Sequence, residues 1–252
     1  MRLGSRGSAL ALAQAQLVAD LLGGGEVVVI STAGDRDQTA RYDQIGDGRG
    51  VFTREIERAL LDGRIDAAVH SAKDLTGDMP DGLVVGAVPE RGDPRDACCG
   101  PWTSLAEIPA GSRVGTSSAR RTGLLREARP DLEVVPLRGN VDTRLRKLDA
   151  GDADVIILAA AGLARLGLHD RIAFTLDPQS FVPEAGQGAL DVQVRAGEEA
   201  SVASIDHAPS RARLELERET VAALGGGCSV PVAAYAWHDD AGELRLRSWV
   251  GE

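Results

Sequence analysis

Ala67-Ala68-Val69-His70-Ser71-Ala72-Lys73-Asp74 is a short apolar run that breaks into a polar cluster, with a lysine beside a carboxylate. Ile65 to Val69 is too short for a helix and follows the turn-forming Asp62-Gly63-Arg64. The loop Thr76-Gly77-Asp78-Met79-Pro80 comes after it, so the run reads as a buried strand. In open α/β sheets the carboxyl ends of strands face the ligand crevice, which puts Lys73 and Asp74 where fixed charge can act on a bound molecule. From these residues alone, a solvated Lys–Asp pair is the plainer alternative.

Arginines at helix starts form the second chemical signal. Arg6 and Ser8 precede the alanine-rich run Ala9 to Leu22 and sit at a helix N-terminus, where backbone N–H groups and the macrodipole favour an anion. Ser8 also suits a simple capping role. Further on, Thr116-Ser117-Ser118 precedes a helix over Ala119 to Ala128 that carries Arg120 and Arg121 in its first turn. Cations there oppose the helix dipole, and a bound anion would remove the conflict. The construction repeats: Arg138-Gly139-Asn140 leads into Val141 to Ala150, with Arg144, Arg146 and Lys147 on the helix. Two such units suit a ligand with several carboxylates or phosphates, although any single arginine is equally consistent with an ordinary surface. Cys228 follows Gly225-Gly226-Gly227 on conformationally free backbone, which suits covalent attachment; a small buried cysteine is the bland alternative.

Strands and helices alternate around these residues. Strands are predicted over Arg2 to Gly4, Glu26 to Ser31, Leu83 to Val88, Arg113 to Gly115, Glu133 to Leu137 and Ala189 to Val194, with a further strand in Ala153 to Ala161 that enters a short helix. Helices are predicted over Phe52 to Leu61 and Pro209 to Leu224 as well as those above. Thr32 to Gly50 has no apolar period and reads as a mobile loop, and Arg91 to Asp96 reads as a crossover. Phe181 to Gly188 is a glycine-rich turn without the lysine of a phosphate loop or the spacing of a dinucleotide fingerprint. Pro231 to Trp237 and Leu244 to Val250 read as a hairpin around Asp239-Asp240-Ala241-Gly242.

With 252 residues and 43% hydrophobic content, the chain can bury a sizeable core, but at 3% aromatics that core must be built of Ala, Val, Leu and Ile. No run reaches membrane-span length and no signal segment is evident, so a soluble, cytoplasmic protein is expected. Three cysteines, two of them adjacent, make no disulfide framework, and nothing in the Cys/His spacing calls for a metal. The formal net charge is −10, and of 28 basic residues only Lys73 and Lys147 are lysines. A negative global field disfavours nucleic acid, so an anion site must be a local arginine cluster acting within roughly 10 Å at 0.1 M salt.

Taken in order, Ser5-Arg6-Gly7-Ser8-Ala9-Leu10-Ala11, Gly50 to Glu57, Val69-His70-Ser71-Ala72-Lys73-Asp74-Leu75, Val114 to Arg121, Arg138 to Leu145, Gly186-Gln187-Gly188-Ala189-Leu190 and Gly226-Gly227-Cys228-Ser229-Val230-Pro231 resemble the porphobilinogen deaminase (hydroxymethylbilane synthase) family over nearly the whole chain. The resemblance implies an α/β fold: two periplasmic-binding-protein-like domains with a cleft between them, plus a small α+β C-terminal domain. The domains would comprise residues 1–90 with 188–205, 93–187, and 207–252. It implies an enzyme that deaminates porphobilinogen molecules and joins them head to tail on a covalent dipyrromethane cofactor, releasing the linear tetrapyrrole hydroxymethylbilane. Cys228 would hold that cofactor by a thioether, and Asp74 would be the catalytic aspartate. Ser71, Lys73, Thr116, Ser118, Arg120, Arg121 and Arg144 would bind the cofactor. Arg6, Ser8, Arg138, Gln14 and Gln187 would contact substrate, and no metal is implied. The expected partner is porphobilinogen, with a monomeric protein and neither nucleic acid nor membrane.

Two departures from the family pattern are mild: Thr76 stands where proline is usual, and Arg49 where lysine is commoner. The chain ends at Glu252, just after a strand where the family continues, so the third domain is expected to be incomplete. A second hypothesis is a non-catalytic binding protein for a small organic anion, which needs the arginines but neither Asp74 nor Cys228.

Overall fold

The computed structural model describes residues 1–32, 53–75, 79–225 and 231–251. In chain order the elements are β1 (Arg2–Ser5), α1 (Ala9–Leu21), β2 (Glu26–Val29), α2 (Arg54–Leu61), β3 (Ala67–Ser71), β4 (Leu83–Ala87), β5 (Asp96–Cys99), β6 (Arg113–Gly115), α3 (Ala119–Ala128), β7 (Glu133–Val135), α4 (Val141–Asp149), β8 (Val155–Ala159), α5 (Ala160–Arg165), β9 (Phe174–Thr175), β10 (Leu190–Arg195), α6 (Ala208–Ala223), β11 (Val232–His238) and β12 (Leu244–Val250), with short 3-10 turns between some of them. The chain divides into one unit of residues 1–92 and 188–215 and another of 93–187 and 216–252.

The first unit is built on a sheet ordered β2-β1-β3-β10-β4. β1 pairs in parallel with both β2 and β3, while β10 inserts antiparallel between β3 and β4. Parallel pairing of β1 with β3 brings both carboxyl ends to one edge, and the residues that follow them, Arg6 to Ser8 and Ala72 to Asp74, emerge there. Leu3, Val69 and Val192 pack with Val18 of α1 on one face; Ile56 and Leu60 of α2 pack with Ile65 and Ala68 on the other. Each such fully buried aliphatic side chain contributes about 1.5–3 kcal/mol by leaving water. Gly4 admits this packing, since a Cβ there would lie 2.2 Å from Ile65 Cδ1.

The second unit repeats the pattern in a sheet ordered β7-β6-β8-β5-β9. β6 is parallel to β7 and β8, and β5 is antiparallel to β8 and β9. Its parallel strands likewise deliver Thr116 to Ser118 and Pro136 to Arg138 at their carboxyl ends. β5 corrects the sequence reading, which took Arg91 to Asp96 as crossover and assigned no strand at Asp96–Cys99. The turn signals at Pro94 end one residue before a fully buried strand whose first residue is itself a carboxylate. β11 and β12 form the expected antiparallel hairpin. The proposed loop Thr32 to Gly50 lies, beyond Thr32, outside the described residues.

Candidate active site

In the first unit, β1 stops at Ser5 because the chain must turn into α1. Ser5 Oγ donates to the Ala11 carbonyl at 3.0 Å, and Ser8 takes the N-cap position, its Oγ accepting from Ala11 N at 3.3 Å. Ser8 is therefore a cap, as the plainer reading held, and that cap fixes where Arg6 leaves the strand. β3 ends in a comparable turn: Asp74 N donates to Ser71 O at 2.9 Å, and Ala72 N donates to Ala189 O at 3.1 Å. Ala72 and Leu75 are buried beneath this turn, whereas Lys73 and Asp74 between them are exposed. The apolar pair thus anchors the backbone and presents the charged pair outward.

A cavity of about 90 Å³ joins the two strand ends. Its wall includes Arg6, Ser8 and Gln14 from the start of the chain and Ser71, Lys73 and Asp74 from the end of β3, closed by Thr53 and His70. These six predicted residues come together although Gln14 and Ser71 are far apart in sequence. His70 was missed: within a strand its alternation marks only a buried position, and its partners are on other elements. Its Nε2 lies 3.3 Å from Gln193 Oε1, and Gln193 Nε2 lies 3.5 Å from Glu57 Oε1, all three side chains being buried. Burial pulls the His70 pKa down to about 4, against a smaller opposing effect of Gln193. Burial likewise raises that of Glu57, opposed by hydrogen bonds to Gln193 and Thr53 and by the Arg54 charge.

In the second unit, Ser118 caps α3, accepting from Arg121 N at 3.4 Å, and Thr116 Oγ1 accepts from Ser118 N at 3.2 Å. Arg120 and Arg121 do not extend into solvent from the helix start. Both are buried against Asp96, the first residue of β5, which is itself fully buried. Arg120 Nη1 reaches Asp96 Oδ2 at 2.7 Å and the Val182 carbonyl at 2.8 Å. Arg121 Nε and Nη2 donate to Asp96 Oδ1 at 3.0 and 2.7 Å, and its Nη1 donates to the Ile157 carbonyl at 2.9 Å. The anion that offsets the cations at this helix start is therefore supplied by the chain itself, which corrects the expectation of an external one alone. Burial pushes the Asp96 carboxyl up, but the charges and hydrogen bonds of the two arginines outweigh it and hold the pKa far below the carboxylate range.

One carboxylate between two guanidiniums leaves a surplus of donors. Arg120 Nε and Nη2 are buried without a hydrogen-bond partner among the described residues. Arg144 donates through Nε to the Gly139 carbonyl at 2.7 Å, and burial, followed by the charge of Arg121, lowers its pKa. Arg165, which the sequence reading passed over, is lowered to about 10 by burial. Desolvation disfavours the charged form of these guanidiniums, and an acidic ligand beside them would favour it. Gln187 is fully buried and donates to the Pro94 carbonyl at 2.8 Å and to Asp96 Oδ1 at 3.0 Å, which ties it to the same cluster. Asn140 occupies the N-cap of α4 but makes no side-chain capping bond.

Arg138 is exposed and, with Thr116, lines a hollow of about 980 Å³ alongside Arg126, Pro231 and Trp249. Trp249 of β12 rests on Gly123 of α3, where a Cβ would come within 2.5 Å of the indole, and its Nε1 donates to Glu127 Oε1 at 2.8 Å. This hollow is much the larger, but the small cavity holds six predicted residues and this one two; density of functional groups marks the chemistry better than volume. Cys228 lies outside the described residues. The buried Glu217 of α6 accepts from Gly186 N and Ala236 N, both at 2.8 Å, and so binds β11 to the glycine-rich turn. No described helix is long and apolar enough to cross a membrane.

A family model for the porphobilinogen deaminase dipyromethane cofactor binding domain matches residues 1–203, and one for the porphobilinogen deaminase C-terminal domain matches 212–252. The chain is 51% identical to a porphobilinogen deaminase of Paraburkholderia phymatum, over 87% of this chain and 68% of that protein. It is 47% identical to one from Roseiflexus sp., over 99% of this chain and 85% of the relative. Among solved structures, the methionine binding protein MetQ aligns with a TM-score of 0.49 at 15% identity, covering 81% of this chain and 89% of that one.

Proposed function

Because the chain belongs to the porphobilinogen deaminase family, we propose that it is a hydroxymethylbilane synthase, a transferase that deaminates porphobilinogen and joins successive molecules into a linear tetrapyrrole. The observation that carries the reading is the gathering of Asp74 with Arg6, Ser8, Gln14, Ser71 and Lys73 around one cavity. The alternative of a non-catalytic anion-binding protein is not favoured, since it leaves the outward-facing Asp74 without a task.

The dipyrromethane group, when bound, supplies the pyrrole carbon to which substrate units are joined. The donors of Arg120 that have no partner among the described residues, together with the guanidiniums of Arg121 and Arg144, fit its carboxylates, each charged hydrogen bond contributing about 1.5–3 kcal/mol in a desolvated setting. Thr116, Ser118, Ser71 and Lys73 complete that binding set, and Cys228 is the attachment residue. Asp74 accepts pyrrole N–H groups and stabilises the cation that develops on the substrate as ammonia departs; a fixed carboxylate needs no reorganisation to do so. Arg6, Ser8, Gln14, Arg138 and Gln187 hold or orient the incoming porphobilinogen. The residues are proposed to act within three domains, 1–90 with 188–205, 93–187 and 207–252, in a monomeric cytoplasmic protein; the separate family matches to 1–203 and 212–252 support the last boundary.

Intact mass of the denatured protein before and after adding porphobilinogen tests this directly. Stepwise additions of pyrrole units are expected on the wild type, none are expected to be elongated by Asp74→Ala, and Cys228→Ser is expected to lack the thioether-linked group. Near-normal turnover by Asp74→Ala removes Asp74 from the mechanism, and a bare polypeptide mass that porphobilinogen leaves unchanged removes the activity.

A further inference from the structure

The wall of the Asp74 cavity contains a side chain to which the reaction as described gives no task. His70 faces that cavity from β3, one residue before Ser71. Its surroundings carry charge from several elements: Glu57 from α2, Asp191 as its cross-strand neighbour on β10, and Arg6, Lys73 and Asp74 around the same cavity. Among these groups the hydrogen-bond partner of His70 is the neutral Gln193.

The direction of that bond follows from what each group can do. An ionised carboxylate only accepts, so Glu57 Oε1 takes its hydrogen bond from Gln193 Nε2. That fixes the amide with its oxygen toward His70, 3.3 Å from Nε2. An amide oxygen cannot donate, so Nε2 must carry the imidazole proton. The ring is neutral, as its burial requires, and Nδ1 is then an unprotonated acceptor that makes no hydrogen bond among the described residues. The remaining polar groups of the cavity wall include two cations, Arg6 and Lys73, and one carboxylate, Asp74.

We propose that His70 is a substrate-binding residue, an uncharged acceptor held in its Nε2–H tautomer by the Glu57–Gln193 chain, whose Nδ1 receives an N–H of the substrate bound beside Asp74. This rests on the porphobilinogen reading and adds to it a second acceptor, one that contributes no charge. The pairing divides the labour: Asp74 answers the positive charge that develops, while His70 recognises the N–H direction and adds no formal charge of its own. An imidazolium at this position would instead repel the developing cation, and burial keeps the ring neutral against the smaller opposing effect of Gln193.

The test uses the full chain labelled with ¹⁵N-histidine, whose four histidines give separable long-range ¹H–¹⁵N spectra, His70 being assigned by its loss in His70→Gln. The expected free state between pH 6 and 8 is a neutral ring protonated at Nε2, with the preference lost in Glu57→Gln, whose amide can donate as well as accept. Adding porphobilinogen should move the Nδ1 signal toward its hydrogen-bonded position. His70→Phe should lower kcat/KM by roughly two- to tenfold, the effect of one neutral hydrogen bond, and His70→Asn, whose side-chain oxygen reaches the place of Nδ1, should recover most of it. A ring protonated at Nδ1, or an Nδ1 signal that stays put while porphobilinogen is turned over normally, overturns the proposal and leaves the activity standing. A wild-type protein that neither binds nor converts porphobilinogen sinks the activity, and the substrate contact with it.

Discussion

Asp96→Asn is expected to destabilise the second unit by about 3–5 kcal/mol, the penalty for removing one partner from a buried ion pair. Asp96 is fully buried, and it accepts from Arg120 through Oδ2 and from Arg121 and Gln187 through Oδ1. Asparagine keeps the shape but offers one oxygen. The amide settles with that oxygen toward Arg121 and Gln187, where the donors are more numerous, and its NH₂ then faces Arg120 Nη1. Arg120 already has two nitrogens without partners among the described residues, and of its two acceptors there it would retain the Val182 carbonyl. The cluster's net charge rises from one positive to two, in a site where neither guanidinium reaches water. Urea unfolding followed by tryptophan fluorescence is the assay, because Trp102, Trp237 and Trp249 all belong to this unit. A loss below about 1 kcal/mol with an unchanged slope would refute the argument that Asp96 neutralises the helix start. In the wild type the depressed Asp96 pKa means its contribution is fully present above the unfolded value near 3.9 and is lost only as pH falls toward the folded one. Acid unfolding above pH 4 therefore comes from other groups.

His70 supplies such a group: its pKa is lowered to about 4 in the folded protein against about 6.5 unfolded, so stability is highest above pH 6.5 and declines as pH falls to 4. That difference corresponds to about 3 kcal/mol, and urea titrations at several pH values should show the decline in wild type and its loss in His70→Gln. Gly123→Ala drives a Cβ to within 2.5 Å of the Trp249 indole and should destabilise by about 1–3 kcal/mol with a shift in tryptophan emission; unchanged emission would show that the indole does not rest there. Arg144→Gln removes a cation that burial disfavours, so it should raise the melting temperature of cofactor-free protein while weakening cofactor retention, a trade of stability for function. A lowered melting temperature of the cofactor-free variant would contradict it.

Local signals located most elements because they are properties of short stretches. α3 begins at Ala119 after Ser118 and ends at Ala128, and β6 covers Arg113–Gly115, both at the boundaries read from the sequence. Glycine after an apolar run and serine before one act within a single turn and need no distant partner. β2 and β7 are shorter than read, ending at Val29 and Val135, because pairing with β1 and β6 runs out there. β5 was lost for the opposite reason: its local signs are those of a turn, and it is a strand because β8 and β9 flank it.

By itself the sequence determined the alternation of strands and helices, the family pattern around Asp74, and that cations crowd the start of α3 and so require an anion. Only the tertiary structure decided that Asp96, 24 residues before Arg120, is that anion, and that Gln193, 123 residues after His70, sets which nitrogen of the ring holds its proton. The physical reason is range. Caps and turns are decided by neighbours along the chain, whereas burial, charge compensation and hydrogen-bond direction depend on which strands lie side by side, and β5 and β10 are the two strands the chain inserts antiparallel among the others.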